Sequence, residues 1–280
     1  MEKIAFIGAG AMAEAIISGI VSKQIIRPEQ IFITNRSNDA RLHYLHEQYG
    51  VTATRSLPDL LDRATAAVLA VKPKDIPATM EAVKPLMTEE MLIISVAAGV
   101  KADSLSEIVT KEAPIIRAMP NTSAAVGKSA TALARNAYVT EAQFRIARSL
   151  FETFGTAAEV EEKQLDAVTG LSGSGPAYIY YLAEAMEQSA GELGLNRAAA
   201  KELMIQTLIG AAEMLKESGK SPALLRQEVT SPGGTTAAGL RVLEAYHVQE
   251  AFIKCIKEAA ARSAEMGDQI SEELSNPSRL

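Results

Sequence analysis

Short apolar runs alternate with longer amphipathic stretches over about the first 160 residues of the chain. The apolar runs predict eight strands at 3–7, 30–34, 51–53, 66–71, 91–96, 114–119, 130–134 and 157–160. The stretches between them have helical periodicity and predict helices at 11–22, 39–49, 57–63, 76–84, 103–110 and 140–154. Thr140 and Gln143 resemble a capping box at the start of the last of these helices. Such alternation is typical of an α/β fold in which helical crossovers connect a mostly parallel sheet.

The pattern changes after Glu161, where strand signals stop and long segments rich in Ala, Leu, Met and Glu begin. These segments predict helices at 165–170, 175–193, 197–218, 222–228, 236–246 and 248–266, and the polar tail 268–280 is predicted to fray. Apolar residues recur around much of each helix, more than one narrow bundle can bury. The sequence therefore predicts a sheet domain at 1–161 and an all-helical dimerisation domain at 162–280, with helices packing between subunits.

The composition and net charge of the chain argue against some classes of binding partner. The chain has 280 residues, 48% hydrophobic and 22% charged, with a formal net charge of -6. This is ordinary globular composition without a basic field, so neither nucleic acid nor an acidic membrane surface is an expected partner. The N-terminal residues lack the features of an export signal, and no apolar window is long enough to predict a membrane span.

Cys255 is the single cysteine, which excludes an intrachain disulfide and a cysteine zinc site and fits a reducing cytoplasm. It lies between Ile253 and Ile256, so we expect a small core residue. The histidines fall in amphipathic helices or at a helix junction and are expected to be structural or solvated; they are His43, His46 and His247. No metal site is predicted.

The strongest local signal is a G-x-G-x-x-A pattern between the first strand and the first helix, formed by Gly8, Ala9, Gly10, Ala11, Met12 and Ala13. Gly8 permits the tight turn, Gly10 lets the backbone approach a pyrophosphate, and Ala13 lets the helix pack closely on the strand. The helix N-terminus then faces the phosphates. The pattern predicts a Rossmann-type dinucleotide site; the alternative is a glycine turn that binds no nucleotide.

The end of the second strand indicates which dinucleotide is preferred. An NAD-type site carries Asp or Glu there, whereas this chain has Asn35, Arg36 and Ser37 after Thr34. Arg36 offers a fork of donors to a 2′-phosphate, and Asn35 and Ser37 add neutral hydrogen bonds. NADP(H) is therefore favoured, with NAD(H) as the second choice; the alternative for Arg36 is a solvated loop residue.

Further strand ends are expected to complete the nucleotide crevice, because ligands bind at the carboxyl ends of parallel strands. These candidate cofactor-binding residues are Ala70, Val71, Lys72, Pro73, Ala97, Ala98, Gly99 and Asn121. The small residues at 97–99 would let a flat nicotinamide lie against the backbone. Lys72 has two equal interpretations, a phosphate contact or a surface lysine.

Two clusters of Gly, Ser and Thr, at 169–178 and 229–237, open onto helices in the helical half. A loop of this kind exposes backbone N–H groups and hydroxyls, which together form a receptor for a substrate carboxylate. The alternative is ordinary helix capping by Ser or Thr.

Together with the glycine turn and Ala-Val-Lys-Pro at 70–73, these two clusters make the chain resemble the Δ1-pyrroline-5-carboxylate reductases, the enzymes of the last step of proline synthesis. The resemblance runs from Ile4 to about Met266, and its most specific elements are the blocks 166–178 and 231–236. It implies an NAD(P)-binding domain followed by a helical domain that interlocks with its twofold mate, with the substrate pocket at the dimer interface. Dimers in this family commonly assemble further, into a decamer.

The resemblance also implies residue roles. Ser231 and the N–H groups of Gly233, Gly234 and Thr235 would hold the carboxylate of pyrroline-5-carboxylate, and the hydroxyl of Thr236 would lie near the ring nitrogen as the catalytic group. Many members carry asparagine where this chain has Ser56, at a position that contacts the nucleotide. The product would be L-proline.

Two other classes of function stay open from the sequence. A β-hydroxyacid or 6-phosphogluconate dehydrogenase relative shares the glycine turn and the helical C-terminal domain, but uses a lysine as acid and base on the helix where this chain has the Gly/Ser/Thr cluster 169–175. A protein that binds NADP(H) only as a sensor would not need the carboxylate receptor at 231–236.

Overall fold

The computed structural model describes residues 3–110 and 112–275. Contacts divide the chain into two compact units, one made of Met1–Ser174 with Lys257–Leu280 and the other of Gly175–Ile256. We refer to them as the sheet unit and the helical unit.

One eight-stranded sheet forms the centre of the sheet unit. Its strands are β1 Ile4–Ile7, β2 Ile31–Thr34, β3 Thr52–Ala53, β4 Ala66–Leu69, β5 Leu92–Ser95, β6 Ile115–Met119, β7 Ser129–Arg135 and β8 Gly155–Glu159. They lie in the order β3-β2-β1-β4-β5-β6-β7-β8, and every neighbouring pair is parallel except β6 with β7. The order reverses at β1 and β4, the place where a doubly wound sheet opens a crevice for ligands.

Helices cover both faces of this sheet. They are α1 Ala11–Ser22, α2 Asp39–Tyr49, α3 Leu57–Leu61, α4 Ile76–Val83, α5 Ala102–Ile108 and α6 Glu141–Glu152, followed by the short α7 Leu165–Val168. Alternate residues of β1 point to opposite faces: Ile4 and Phe6 belong to one buried cluster, and Ala5 and Ile7 to another. Burial on both faces explains why the strands are continuous apolar runs rather than alternating ones.

The strands and helices predicted for the first half are confirmed, with ends that differ by a few residues. The predicted capping box is present, since the Thr140 hydroxyl accepts from Gln143 N at 3.2 Å and the Gln143 side chain accepts from Thr140 N at 2.9 Å. The predicted fold class, a mostly parallel sheet followed by a helical region, is confirmed.

The helical unit contains α8 Gly175–Glu192, α9 Arg197–Glu217, α10 Pro222–Glu228, α11 Thr235–Ala245 and the first part of α12 Val248–Ser275. All residues of this unit are described, and α8, α10 and α11 bury none of theirs, while α9 buries only Ala200. Large apolar side chains are exposed on several helices, among them Tyr181, Leu203, Ile209, Val242 and Ile253. A single chain therefore leaves this unit without a core of its own.

Two expectations fail in the last helix. Cys255, predicted to be a core residue, is exposed in the single chain, because the unit around it buries almost nothing. The tail from 268 was predicted to fray, yet α12 continues to Ser275.

Tertiary contacts stabilise this part of α12: Ile270 is buried, Asp268 pairs with Lys101 at 2.6 Å, and Ser104 bonds Ser271 at 2.8 Å. Residues 276–280 of the predicted tail lie outside the described part. Within the ranges 3–110 and 112–275, no helix is long and apolar enough to cross a membrane.

Candidate functional site

The carboxyl ends of the parallel strands meet at one edge of the sheet. Hydrogen bonds just beyond the strand ends fix their alignment: Gly8 N to Thr34 O at 3.0 Å, Ala70 N to Ile7 O at 2.9 Å, Thr54 N to Ile33 O at 3.0 Å, and Val96 N to Leu69 O at 3.1 Å. The segments predicted from the sequence to bind a cofactor therefore begin at this edge, which is the ligand-binding edge of a doubly wound sheet.

The glycine turn after β1 fits a pyrophosphate. Gly8 has φ of +108°, and a Cβ there would lie 2.4 Å from the Ala70 carbonyl oxygen, so only glycine is accommodated. A Cβ on Gly10 would meet no described atom within 4 Å, so the backbone faces open space. Ala13, one turn into α1, is fully buried and allows the close packing of helix and strand.

The N-terminus of α1 is left open to an anion. Its N-cap is Gly10, and no side chain in the described ranges caps it. By contrast, α2, α3 and α6 are capped by the side chains of Asn38, Ser56 and Thr140. The first N–H groups of α1 therefore have no helical or side-chain acceptor, as a phosphate-binding helix requires.

A network of hydrogen bonds that the sequence did not reveal supports the glycine turn. Arg41 donates from Nε to the Ala9 carbonyl at 2.8 Å and pairs with Glu14 at 2.5 Å, which ties α2 to the turn and to α1. The hydroxyls of Tyr44 and Tyr49 also donate to Glu14, each at 3.1 Å. Burial opposes ionisation of Glu14, but hydrogen bonds from Arg41, Tyr49 and Tyr44 outweigh it and lower the pKa of this carboxyl.

The loop after β2 holds the residues predicted to choose the cofactor. The Asn35 side chain is engaged locally: its Nδ2 donates to Asn38 O and its Oδ1 accepts from Asn38 N, both at 2.8 Å. Arg36 and Ser37 are exposed. Arg36 forms no hydrogen bond or ion pair with any residue that the structure describes, so its guanidinium is available to a ligand.

The loop after β3 brings a second arginine to the same place. Arg55 donates to the Asn35 carbonyl at 2.7 Å and pairs with Asp39. Ser56 is the N-cap of α3 and accepts from Asp59 N at 3.2 Å, a capping role that is separate from its expected nucleotide contact. The pattern at the end of β2 alone does not indicate Arg55; the signal that could have found it is that β2 and β3 run parallel and end together.

The loops after β4 and β5 complete the edge. Ala70, Val71 and Pro73 are half-buried, and Lys72 is exposed, which leaves both interpretations of this lysine open. Of the small residues after β5, Ala97 and Gly99 are buried and Ala98 is half-buried. Gly99 has φ of +77°, and its carbonyl oxygen would lie 2.3 Å from a Cβ at Gly267 of α12, so the two backbones are in direct contact.

Asn121, after β6, is 9% exposed and uses its amide within the protein. It accepts from Ser123 N at 3.2 Å and donates to the Ser172 carbonyl at 3.0 Å. Its position at the sheet edge fits the predicted cofactor contact, but both ends of the amide already have protein partners.

The cluster that begins at Thr169 was predicted to be a receptor loop, and this prediction is wrong for its first part. Residues Thr169–Gly173 form a π-helical turn between α7 and α8. Hydroxyls here bond back to the preceding turn, from Thr169 to Leu165 O at 2.8 Å and from Ser172 to Val168 O at 3.2 Å. Because the backbone is helical, its N–H groups are not gathered towards a ligand.

The second cluster, in the helical unit, does form an open turn before a helix. Gly233 has φ of +72°, Gly234 N donates to Ser231 O at 3.0 Å, and α11 begins at Thr235. The N-cap is Gly234, and no side chain caps this helix within the fully described unit. The alternative of ordinary capping by Ser or Thr is therefore wrong here, and Ser231, Thr235 and Thr236 are exposed beside free backbone N–H groups.

The histidines lie away from both glycine turns. His43, His46 and His247 are exposed, and His46 Nδ1 lies 2.9 Å from Val51 O. Groups of three or more His, Cys, Asp or Glu that could hold a metal ion do not occur in the described parts of the chain.

Comparison with known proteins gives two family matches. Residues 162–266 match a family described as pyrroline-5-carboxylate reductase dimerisation. Residues 3–99 match a family described as NADP oxidoreductase, coenzyme F420-dependent.

Individual relatives match over nearly the whole chain. Pyrroline-5-carboxylate reductase 2 of Bacillus subtilis is 46% identical over 97% of this chain and 97% of its own length, and the Glycine max reductase is 40% identical over 94% and 95%. Among solved structures, the Coxiella burnetii pyrroline-5-carboxylate reductase has 39% identity and a TM-score of 0.86, covering 95% of this chain and 98% of its own. The Plasmodium falciparum pyrroline carboxylate reductase, solved with NADP bound, has 31% identity and a TM-score of 0.87, covering 95% and 99%.

Proposed function

Because the chain belongs to the pyrroline-5-carboxylate reductase family, we propose that it reduces the cyclic imine Δ1-pyrroline-5-carboxylate to L-proline with NAD(P)H, the last step of proline biosynthesis. The observation that carries this proposal is the 46% identity to the Bacillus subtilis reductase over 97% of both chains.

A nicotinamide dinucleotide fits the sheet unit, because Gly8 needs its absent Cβ, Gly10 faces open space and α1 is uncapped. When bound, it supplies the hydride that the reduction needs. We assign its binding to Gly8, Ala9, Gly10, Ala11, Met12, Ala13, Asn35, Arg36, Ser37, Ser56, Ala70, Val71, Lys72, Pro73, Ala97, Ala98, Gly99 and Asn121. The exposed, unpaired Arg36 supports a preference for NADP(H) over NAD(H).

The substrate carboxylate is assigned to the turn before α11. Ser231 and the N–H groups of Gly233, Gly234 and Thr235 would hold it, aided by the positive end of the eleven-residue helix. An uncharged receptor of this kind binds the anion without placing a fixed positive charge beside the imine, which becomes cationic when protonated.

Thr236 is assigned as the group beside the ring nitrogen. A cyclic imine is basic enough to arrive at least partly protonated, so the reaction needs no strong general acid. The Thr236 hydroxyl would orient the nitrogen or relay a proton to it. The rest of the rate enhancement would come from alignment of the two reactants and exclusion of water.

The chain forms homo-oligomers through its helical half, which matches the dimerisation family and leaves its apolar side chains exposed in a single chain. We further propose a division by role, with dinucleotide binding in residues 1–161 and dimerisation and substrate binding in 162–280. The substrate pocket would lie at the dimer interface, and dimers would assemble into a larger oligomer such as a decamer. The cytoplasmic location expected from the sequence stays a prediction.

The test is the absorbance loss of NADPH when purified protein meets pyrroline-5-carboxylate, repeated with NADH and without substrate. Substrate-dependent oxidation with L-proline as product is expected, faster with NADPH. Oxidation of hydroxy acids by NADP instead would favour the dehydrogenase alternative, and cofactor binding without turnover of either substrate would favour a sensor.

A further inference from the structure

The ends of β2 and β3 place two arginines on one loop system. The two strands are parallel, with Ile33 opposite Ala53, so Asn35 and Arg55 each follow two residues later. Arg36 and Arg55 thus follow the ends of two neighbouring strands. The ribose of a dinucleotide lies over the end of the second strand in this fold.

Arg55 is held in place but not enclosed. Its Nη1 donates to the Asn35 carbonyl at 2.7 Å, its Nε donates to Asp39 Oδ1 at 2.8 Å, and its Nη2 also contacts that oxygen. One N–H on each terminal nitrogen is left over from these bonds. The side chain is 38% exposed, so part of it faces solvent.

The carboxylate of Asp39, which pairs with Arg55, would repel an anion bound beside that arginine. Its side chain is 85% exposed, and it is the first residue of α2, whose N-terminus otherwise favours negative charge. The carboxylate fixes the direction of Arg55 while cancelling part of its charge. A phosphate arriving beside Arg36 would gain from Arg55 and be repelled by Asp39.

We propose that Arg55 is a second cationic contact for the 2′-phosphate of NADP(H), and that Asp39 limits how strongly it attracts that phosphate. The inference rests on the proposed cofactor preference and deepens it. If it holds, the preference for NADP(H) depends on residues at the ends of β2 and β3 and at the start of α2, and not on Arg36 alone. A merely structural Arg55 would brace the loop at Asn35 and serve every adenine nucleotide equally.

The test is calorimetric binding of adenosine 2′,5′-bisphosphate and adenosine 5′-monophosphate to the full chain, which separates the 2′-phosphate from the rest of the cofactor without turnover. Arg55→Gln should weaken the bisphosphate about tenfold, as expected for loss of a charged hydrogen bond, and change the monophosphate less than about twofold. Asp39→Asn should tighten the bisphosphate about threefold through loss of a like charge.

Arg145→Gln is the matched control, since Arg145 is exposed on α6 and has no partner among the described residues. It removes the same charge elsewhere and should leave both affinities unchanged. Arg55→Lys retains the charge and serves if Arg55→Gln lowers the melting temperature; it should keep part of the preference for the bisphosphate.

Three results would overturn the inference: equal weakening of both nucleotides by Arg55→Gln, no weakening of either, or the same weakening in Arg145→Gln. Weaker bisphosphate binding by Asp39→Asn would remove Asp39 from the proposal. Equal affinity of the wild-type protein for the two nucleotides would instead refute the NADP(H) preference itself, whatever Arg55 does.

Discussion

The two units of the chain solve the problem of burial in opposite ways. In the sheet unit, side chains such as Ile4, Phe6 and Ile17 are fully inaccessible to solvent, and two buried clusters cover both faces of the sheet. In the helical unit, three complete helices bury nothing, while Tyr181 is 76% exposed. The first unit contains its own hydrophobic core, and the second needs another copy to build one.

The glycine turns of the two units also differ in the atoms that surround them. At Gly8, an added Cβ would meet backbone atoms of Ala70, which cannot move aside. At Gly234, the nearest atom is the Ser231 hydroxyl oxygen at 2.5 Å, part of a side chain that can rotate. Alanine at Gly8 is therefore excluded by neighbouring backbone, whereas alanine at Gly234 would first meet a side chain that can rotate, with the Ser231 carbonyl oxygen 3.2 Å away.

The largest expected effect comes from breaking the intersubunit surface. Ile209 and Ile25 are both 45% exposed in the single chain, one in each unit. Ile209→Asp should place an unpaired charge in a packed interface and raise the dimer dissociation constant by ~100-fold or more, with loss of activity. Ile25→Asp should leave the assembly intact. Light scattering after gel filtration measures both, and an unchanged mass for Ile209→Asp would contradict this picture of the helical unit.

A second change tests the sheet unit without disturbing its core. Gly10→Ala meets no described atom within 4 Å and has an ordinary backbone conformation, so the fold should be preserved. The methyl group would occupy the space assigned to the pyrophosphate, and NADPH affinity should fall by ~30-fold or more. Fluorescence titration gives the affinity and thermal unfolding gives the control. Gly8→Ala should instead lower the melting temperature, because its Cβ meets backbone.

Thr236→Ala tests the proposed substrate turn in the helical unit. We expect turnover of pyrroline-5-carboxylate to fall about tenfold, in the range typical for loss of a proton-transfer or orienting group, while NADPH affinity stays near that of the wild type. Thr236→Ser keeps the hydroxyl and should recover most of the rate. Steady-state kinetics with both variants decides the point; full activity in Thr236→Ala would reduce Thr236 to a residue of the helix start.

The smallest expected effect is on stability, and it comes from removing one carboxylate of an ion pair, either Glu14 paired with Arg41 or Glu217 paired with Lys216. Burial raises the pKa of Glu14, but hydrogen bonds from Arg41 and the two tyrosines outweigh it, so the pKa is lowered. The ionised carboxylate therefore stabilises the fold above the ordinary carboxyl pKa of 4.5. This stabilisation is lost as the pH falls through the lowered pKa. Glu14→Gln should cost about 0.5–1 kcal/mol of unfolding free energy at neutral pH, and less in acid.

Glu217 is the comparison in the helical unit, where a hydrogen bond from Lys216 lowers its pKa on a fully exposed surface. Glu217→Gln should not change stability measurably. Urea titrations at several pH values compare the two, and a pH-independent loss in Glu14→Gln would show that packing rather than charge is responsible.

Much of the sheet unit could be predicted from the sequence, because its signals are local. Apolar runs at β1 and β4 are buried on both faces, and the Thr140 capping box is complete within four residues. The glycine turn was identified by its position between a strand and a helix. In each case the physical cause lies within a few residues of the pattern that reveals it.

The errors have long-range causes. The end of α12 looks polar, but Asp268 and Ser271 are paired with Lys101 and Ser104, far away in the sequence. Arg41 and Arg55 act through carbonyls of loops that only the sheet brings near. The spacing of residues after one strand cannot predict a contact that forms only when the loops of two strands come together.

The course of α12 also limits how this protein can be divided. The helix starts in the helical unit and ends on the sheet unit, where Gly267 touches Gly99 and Leu274 packs against a buried cluster. A fragment truncated after residue 174 would lack this last layer and expose the apolar cluster residues that Ile270 and Leu274 cover. A separable nucleotide-binding fragment would have to be spliced from two stretches of sequence, since the chain leaves that unit and returns to finish it.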